Sequence, residues 1–220
     1  ADVDPTLRAL LGLRLWRALT AAGVGAALSY SGALLQGLFQ NSLASPSVLG
    51  ITSGASLGAA LAACLVGGLG GALFTPAGGL WNGALLVPLA AFVGALAIGA
   101  LVHRLGSTHG RLSVPALLLV GLAMNTFLGG AQSLLQQLVL GRWEVSRSIL
   151  SWSFGTLLDR QPWHVIVVWA LLVPCLALAP RLAWELDLLQ SGEEDARALG
   201  VDTLRVRRLA LVAATLATAA

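Results

Sequence analysis

The sequence predicts an all-α polytopic membrane protein, and three observations carry that expectation. Hydrophobic residues fill 57% of the 220 positions and charged residues only 10%, against about 25% charged in soluble chains. Positions 18 to 102 hold no Asp, Glu, Lys, Arg or His, a stretch that a soluble fold would have to bury almost whole. Apolar runs long enough to cross a hydrocarbon core of about 30 Å recur at 18–39, 49–68, 83–102, 115–140 and 163–180.

Those runs predict five full membrane helices. A last run, 209–220, reaches only 12 residues and reads as a partial helix, short of the roughly 20 residues a span needs. The chain opens on Ala1 rather than an initiator Met, so it reads as one transmembrane domain over 1–220, incomplete at both ends. With five crossings, one face receives 1–17, 69–82 and 141–162, and the other receives 40–48, 103–114 and 181–208. Arginines divide nearly evenly between the faces. Trp16, Trp81, Trp143, Trp152 and Trp163 all fall near the first, as an interfacial belt does.

Composition excludes several functions. All 13 basic residues are Arg, which removes the P-loop lysine and every Schiff-base lysine, so ATP is not held here in the P-loop manner. A net charge of +3 does not point to nucleic acid, because the arginines sit in the breaks between apolar runs and form no basic stripe. Cys64 and Cys175 lie inside apolar runs with no CxxC spacing. His103 and His109 have no carboxylate or thiol nearby, so no metal site is expected. No catalytic residue is assigned.

Inside the membrane runs, Gly50, Gly54 and Gly58 form two overlapping GxxxG steps that clear a helix face for another backbone. The preceding turn, QNSLASPS, is polar but uncharged, with Pro46 ending or redirecting the chain. Polar stripes recur at helical spacing: Ser29, Gly32 or Ala33, Gln36 and Gln40 in the first helix, and Asn125, Gly129, Gln132 and Gln136 in the fourth. An amide at bilayer depth needs a partner, so each stripe faces a wet pathway or other helices. Arg14 and Arg17 share one helical face at the membrane edge. Outside the membrane, Ser191 and Glu194 are spaced as a capping box and Gly200 as a C-terminal stop, predicting a helix of about two turns within 188–202. It is read as a surface helix or as a docking element.

Three stretches, LRLWRALTAAGVGAALSYSGALLQGLFQNSLASPSVLGITSGASLGA, LLLVGLAMNTFLGGAQSLL and LLQSGEEDARALGVD, together resemble the FecCD-type permeases of ATP-binding cassette (ABC) importers for iron-siderophores, haem and vitamin B12. The similarity runs over essentially the whole chain in the same order. It implies a type II importer bundle of about ten membrane helices, of which this chain would hold the second to the sixth and the start of the seventh. It also implies that 141–162 faces the periplasm and 181–208 the cytoplasm of a bacterial inner membrane.

The resemblance implies roles residue by residue. Arg14 and Arg17 match an arginine pair that receives carboxylates of the periplasmic or lipoprotein substrate-binding protein, although Trp16 replaces the usual Pro. Leu189 to Gly200 match the coupling helix that docks into the ATPase; Glu193, Glu194, Ala196, Arg197 and Leu199 would carry the contact, with Leu189, Gly192 and Gly200 completing the element. Asn41 to Gly54 (Ser53 included), Ser107 and Thr108 match cytoplasmic gate loops, with Ser42 where Pro is usual. Gln36, Asn125, Gln132 and Gln136 would line the pathway or gate. The implied partners are ABC ATPase subunits, which alone bind ATP, a second permease copy (identical or not) and the bilayer; no nucleic acid and no directly bound cofactor are implied. The cargo implied first is an iron-siderophore, with vitamin B12 or haem as alternatives. An ion-coupled secondary transporter would need an acid or His at bilayer depth, and the five runs offer none; an intramembrane serine protease would need its serine one place earlier in GITSG.

Overall fold

In the computed structural model, residues 5–65, 83–108, 111–112, 114–139, 141, 143–155, 157 and 162–219 are described. The elements in chain order are α1 (Pro5–Phe39), a 3-10 turn (Pro46–Leu49), α2 (Ile51–Cys64), α3 (Gly83–Leu105), β1 (Ser107–Thr108), β2 (Arg111–Leu112), α4 (Val114–Leu138), α5 (Trp143–Phe154), α6 (Pro162–Gln190), α7 (Glu193–Ala198) and α8 (Thr203–Ala219). The strands form a two-residue antiparallel ladder, Ser107 opposite Leu112. Among the described residues, four segments are long and apolar enough to cross a membrane, Leu10–Phe39, Leu86–Leu105, Val114–Leu138 and Pro162–Gln190, and the described part of α2 is a shorter apolar helix. The expected end of α2 at 68, Trp81 and His109 lie outside the described residues.

Three helices run past their expected limits, for one reason: hydropathy marks the immersed length, whereas a helix continues as long as its hydrogen bonds and side chains allow. Helix α1 is already helical from Pro5, well before 18; Arg14 and Arg17 are good helix formers and do not interrupt it. Helix α6 reads through Pro174 and Pro180 to Gln190; its last ten residues are amphipathic, with Leu182, Leu186 and Leu189 buried and Arg181 bridging Glu185 at 3.3 Å. Helix α8 starts at Thr203 rather than 209, where the Asp202 carboxylate accepts from the Arg205 backbone N–H at 3.0 Å.

Lipid tails are as apolar as leucine, so helix association here rests on close packing and hydrogen bonds. The GxxxG face of α2 packs on α3. A Cβ on Gly58 would run into the Ala90 carbonyl, one on Gly94 into that of Gly54, and one on Gly54 would come within 2.7 Å of the Gly94 carbonyl. The main core gathers α1, the 3-10 turn, α6 and α8. Within it the buried Ser31 hydroxyl lies 2.8 Å from the Ala214 carbonyl and 2.7 Å from the Thr218 hydroxyl. Trp169 Nε1 donates to the Leu19 carbonyl at 3.3 Å, and Gly23 makes room for Val168 and Trp169. Helix α5 packs through Val145 and Ile149 on α2 and leaves Trp143 and Phe154 exposed, as a helix lying in a membrane interface does.

Gly58→Ala is therefore expected to cost about 1–3 kcal/mol through overpacking of the α2–α3 seam. Gly129→Ala, where a Cβ meets nothing within 4 Å, is expected to be neutral or stabilising by up to about 1 kcal/mol. Thermal unfolding of the full-length protein in detergent checks this; equal melting temperatures for the two variants would contradict the seam.

Candidate gating and coupling site

Several chain reversals are tied to neighbouring elements by close contacts. The Gln40 side chain reaches the Leu189 carbonyl, Gly121 abuts Val48, and Arg207 reaches Glu193. The first corner is the 3-10 turn. Pro46 starts it, and Gly50, with φ 75°, serves both as its C-cap and as the N-cap of α2, a backbone setting that a side chain strains.

One carboxamide fastens that corner. Asn125 Nδ2 donates to the carbonyls of Ser47 at 2.6 Å and Val48 at 3.3 Å, while its Oδ1 accepts from Ser53 Oγ at 2.6 Å. Gly121, one turn earlier on α4, permits the approach, since a Cβ there would meet the Val48 carbonyl and lie 2.9 Å from Leu49 Cα. Asn125 thus joins α4, the turn and α2 to one another. Its amide is engaged with protein groups rather than presented to an open path. Gln132 and Gln136 continue its stripe on α4, half-buried.

At the second corner, α1 closes with a Schellman pattern. Asn41 N–H donates to the Gln36 carbonyl at 3.2 Å and Gln40 N–H to that of Gly37 at 3.4 Å, with Gln40 at φ 49°. Left-handed backbone costs a non-glycine residue about 1–2 kcal/mol; Gln40 Nε2 offsets part of this by donating to the Leu189 carbonyl at 2.9 Å. Asn41 Oδ1 in turn accepts from the Leu43 N–H at 2.9 Å. Between α1 and α6 lies an open groove of about 660 Å³ whose lining includes Gln36, Gln40, Asn41, Ser42, Asp187 and Gln190. The structure therefore brings Gln36 and Asn41 to one groove, and Ser53 and Asn125 to one corner. Ser107 stands in the hairpin, donating to the His103 carbonyl at 2.6 Å; Thr108 pairs with Arg111 through the backbone, and its side chain lies outside the described residues.

Helix α7 differs from expectation in its start. The capping box does not form: Ser191 Oγ turns back to the Leu188 carbonyl at 2.8 Å, and Gly192, at φ 127°, is the N-cap without a side-chain bond. A serine this close behind α6 finds its acceptor in the helix that has just ended. The helix spans six residues, close to the two turns expected. Its end follows the sequence, with Gly200 at φ 84°, Val201 N–H on the Ala196 carbonyl at 3.0 Å and Gly200 N–H on the Arg197 carbonyl at 2.9 Å, a full Schellman motif.

The predicted contact residues separate into two sets. Ala196, 0% exposed, and Leu189 are turned into the core, where they anchor the helix. Glu193 is engaged by Arg197 and Arg207. Glu194, Asp195 and Gly200 are exposed, as is Leu199 at 62%. Far along α1, Arg14 is exposed and Arg17 half-buried, with Arg17 Nε lacking a hydrogen-bond partner among the described residues. No cluster of metal-ligating side chains occurs among the described residues. Sequence reading did not find the roles of Thr203 and Arg207, because their approach to Glu193 depends on the turn at 199–202.

A multi-span helical bundle with polar corners and a short charged helix on one face is the architecture of a polytopic membrane protein. The chain belongs to the FecCD transport family, whose family model matches residues 3–220. It is 37% identical to the cobalamin import system permease protein BtuC of Halobacterium salinarum over 99% of this chain and 55% of that protein. It is 36% identical to the hemin transport system permease protein HmuU of Yersinia pestis over 96% of this chain and 60% of that one. Its fold matches a solved structure described as an inward-facing conformation of a metal-chelate type ABC transporter, with TM-score 0.82 and 28% identity, covering all of this chain and 65% of the other. The chain thus spans between half and two thirds of the length of these relatives.

Asn125→Ala is expected to strand the Ser53 hydroxyl and two turn carbonyls, costing about 1–3 kcal/mol locally. Backbone hydrogen exchange over residues 45–52 should then rise roughly tenfold, about 1.4 kcal/mol of protection, with a smaller rise for Ser53→Ala. Unchanged exchange in that segment would show that the corner holds without the amide.

Proposed function

We propose that this chain is part of the permease subunit of an ABC importer that moves a metal chelate from periplasm to cytoplasm across a bacterial inner membrane. An iron-siderophore complex is the preferred cargo. Haem and vitamin B12 are the second reading, favoured by the cargoes for which the two relatives are named; all three are bulky metal chelates. The permease does no covalent chemistry and binds no cofactor itself. ATP is held by separate ATPase subunits, a substrate-binding protein docks at the end of α1 that carries Arg14 and Arg17, and a second permease copy, identical or not, completes the pathway.

The observation that carries this reading is the presentation of α7. A six-residue helix is held by buried Ala196 and Leu189 and closed by a Schellman motif, yet it shows Glu194, Asp195 and Leu199 to the outside. That is a rigid acidic and apolar patch suited to a soluble partner with a basic-rimmed groove. Gln36, Asn41, Ser53, Asn125, Ser107 and Thr108 serve as gate or gate-supporting residues in this reading, and Gln132 and Gln136 as pathway residues.

The test is co-purification of the full-length permease with its genomically adjacent ATPase. The wild type is expected to retain the ATPase in detergent. A Glu194→Arg, Asp195→Arg double variant should lose it by at least roughly tenfold, about 1.4 kcal/mol, while Arg181→Ala, exposed on the same side, should not. Equal retention by the double variant would remove α7 from the docking surface, and no retention by a well-folded wild type would sink the importer reading.

A further inference from the structure

We propose that Glu193 is an internal strut of the coupling element: a positioning residue that fixes α7 to α8 through Arg197, Thr203 and Arg207, leaving partner contact to Glu194, Asp195 and Leu199. The name "coupling element" rests on the importer reading; the strut itself rests on geometry.

Both carboxylate oxygens of Glu193 are in use. Oε1 accepts from Arg197 Nη2 at 2.5 Å and from Thr203 Oγ1 at 3.4 Å. Oε2 accepts from Arg207 Nη2 at 3.1 Å. Thr203 and Arg207 are four apart and so share a face of α8, the face that looks back across the 199–202 turn. Isolated surface ion pairs contribute little, but this one belongs to a network, and its Arg207 side chain is only 19% exposed, which reduces screening by solvent and salt.

Adjacent helical residues point about 100° apart, so two neighbouring acids need not face the same way. Glu193 is half-buried and bonded inward, whereas Glu194 is exposed. Helix α8 is in turn bonded to α1 through Ser31, Ala214 and Thr218. A force applied to α7 from outside is thereby delivered to α8 and α1 as to one body.

The experiment uses the full-length permease with Cys64 and Cys175 replaced, spin labels at Ala198→Cys on α7 and Leu138→Cys at the far end of α4, and double electron–electron resonance in nanodiscs without ATPase. Unlabelled variants are assayed separately for ATPase retention. For Glu193→Gln and for Arg207→Gln, the width of the distance distribution is expected to at least double, and the double variant should be no wider than the wider single, because both remove the same link. Glu193→Gln should retain the ATPase within about twofold of wild type, against the tenfold loss expected for Glu194→Arg, Asp195→Arg. Any loss of ATPase by Glu193→Gln that accompanies a broader distribution follows from a loosened helix and supports the strut. An unchanged width in Glu193→Gln overturns the proposal, whether or not the ATPase is lost; loss with unchanged width makes Glu193 a docking residue. If the wild type retains no ATPase, the importer reading falls, while the distance widths still decide the strut.

Discussion

A chain that lives in hydrocarbon has no water with which to satisfy a polar group, so each backbone N–H, carbonyl and amide must find its partner within the protein. Helices do this for themselves; the places where helices stop do not. Several of the molecule's polar side chains serve those places. Asn125 serves the carbonyls of Ser47 and Val48 at the 3-10 turn, Asn41 the N–H of Leu43 and Gln40 the Leu189 carbonyl near the end of α6. Schellman closures satisfy carbonyls at the ends of α1 and α7. The same constraint explains the glycines of α2 and α3: with no hydrophobic drive between helices, backbone must approach backbone, and Gly54, Gly58 and Gly94 permit it.

The bundle was legible in the sequence because immersion leaves a compositional trace. The five apolar runs correspond to α1, α2, α3, α4 and α6, and the GxxxG face lies where small residues would place it. Helix ends were less legible. Hydropathy falls where Arg14 and Arg17 appear, yet α1 continues through them, since charge marks the edge of the membrane and not the end of a helix. Pro180 read as a boundary, but Leu182, Leu186 and Leu189 carry the apolar face onward. The intramembrane amides were legible at helical spacing, while their hydrogen-bond partners were not. Periodicity places Asn125 on a stripe, and only the tertiary approach of the turn makes its amide a fastening.

Helix α7 shows the same division most sharply. Its acids were visible in the first turn, and Gly200 foretold its end. Which acid faces inward depends on how the 199–202 turn aims α8, a long-range consequence of Asp202 capping and Val201 packing that no local pattern contains. Burial of Ala196 fixes the rotation of the helix about its own axis. Once that rotation is set, Glu193 must lie toward α8 and Glu194 away from it.

These ties close on themselves. Glu193 links α7 to α8; Ser31 links α8 to α1; Gln40, at the end of α1, holds the Leu189 carbonyl at the end of α6; and Gly192 joins α6 to α7 again. The first three links in this ring are polar and directional, and the fourth is the chain itself. A ring of directional bonds resists shear between its members more than apolar faces do, because a hydrogen bond weakens steeply when misaligned while an apolar contact slides. The elements around the ring are therefore constrained to move together. The corner held by Asn125, which touches the ring through the packing of the 3-10 turn on α1 and α8, is placed to follow that motion.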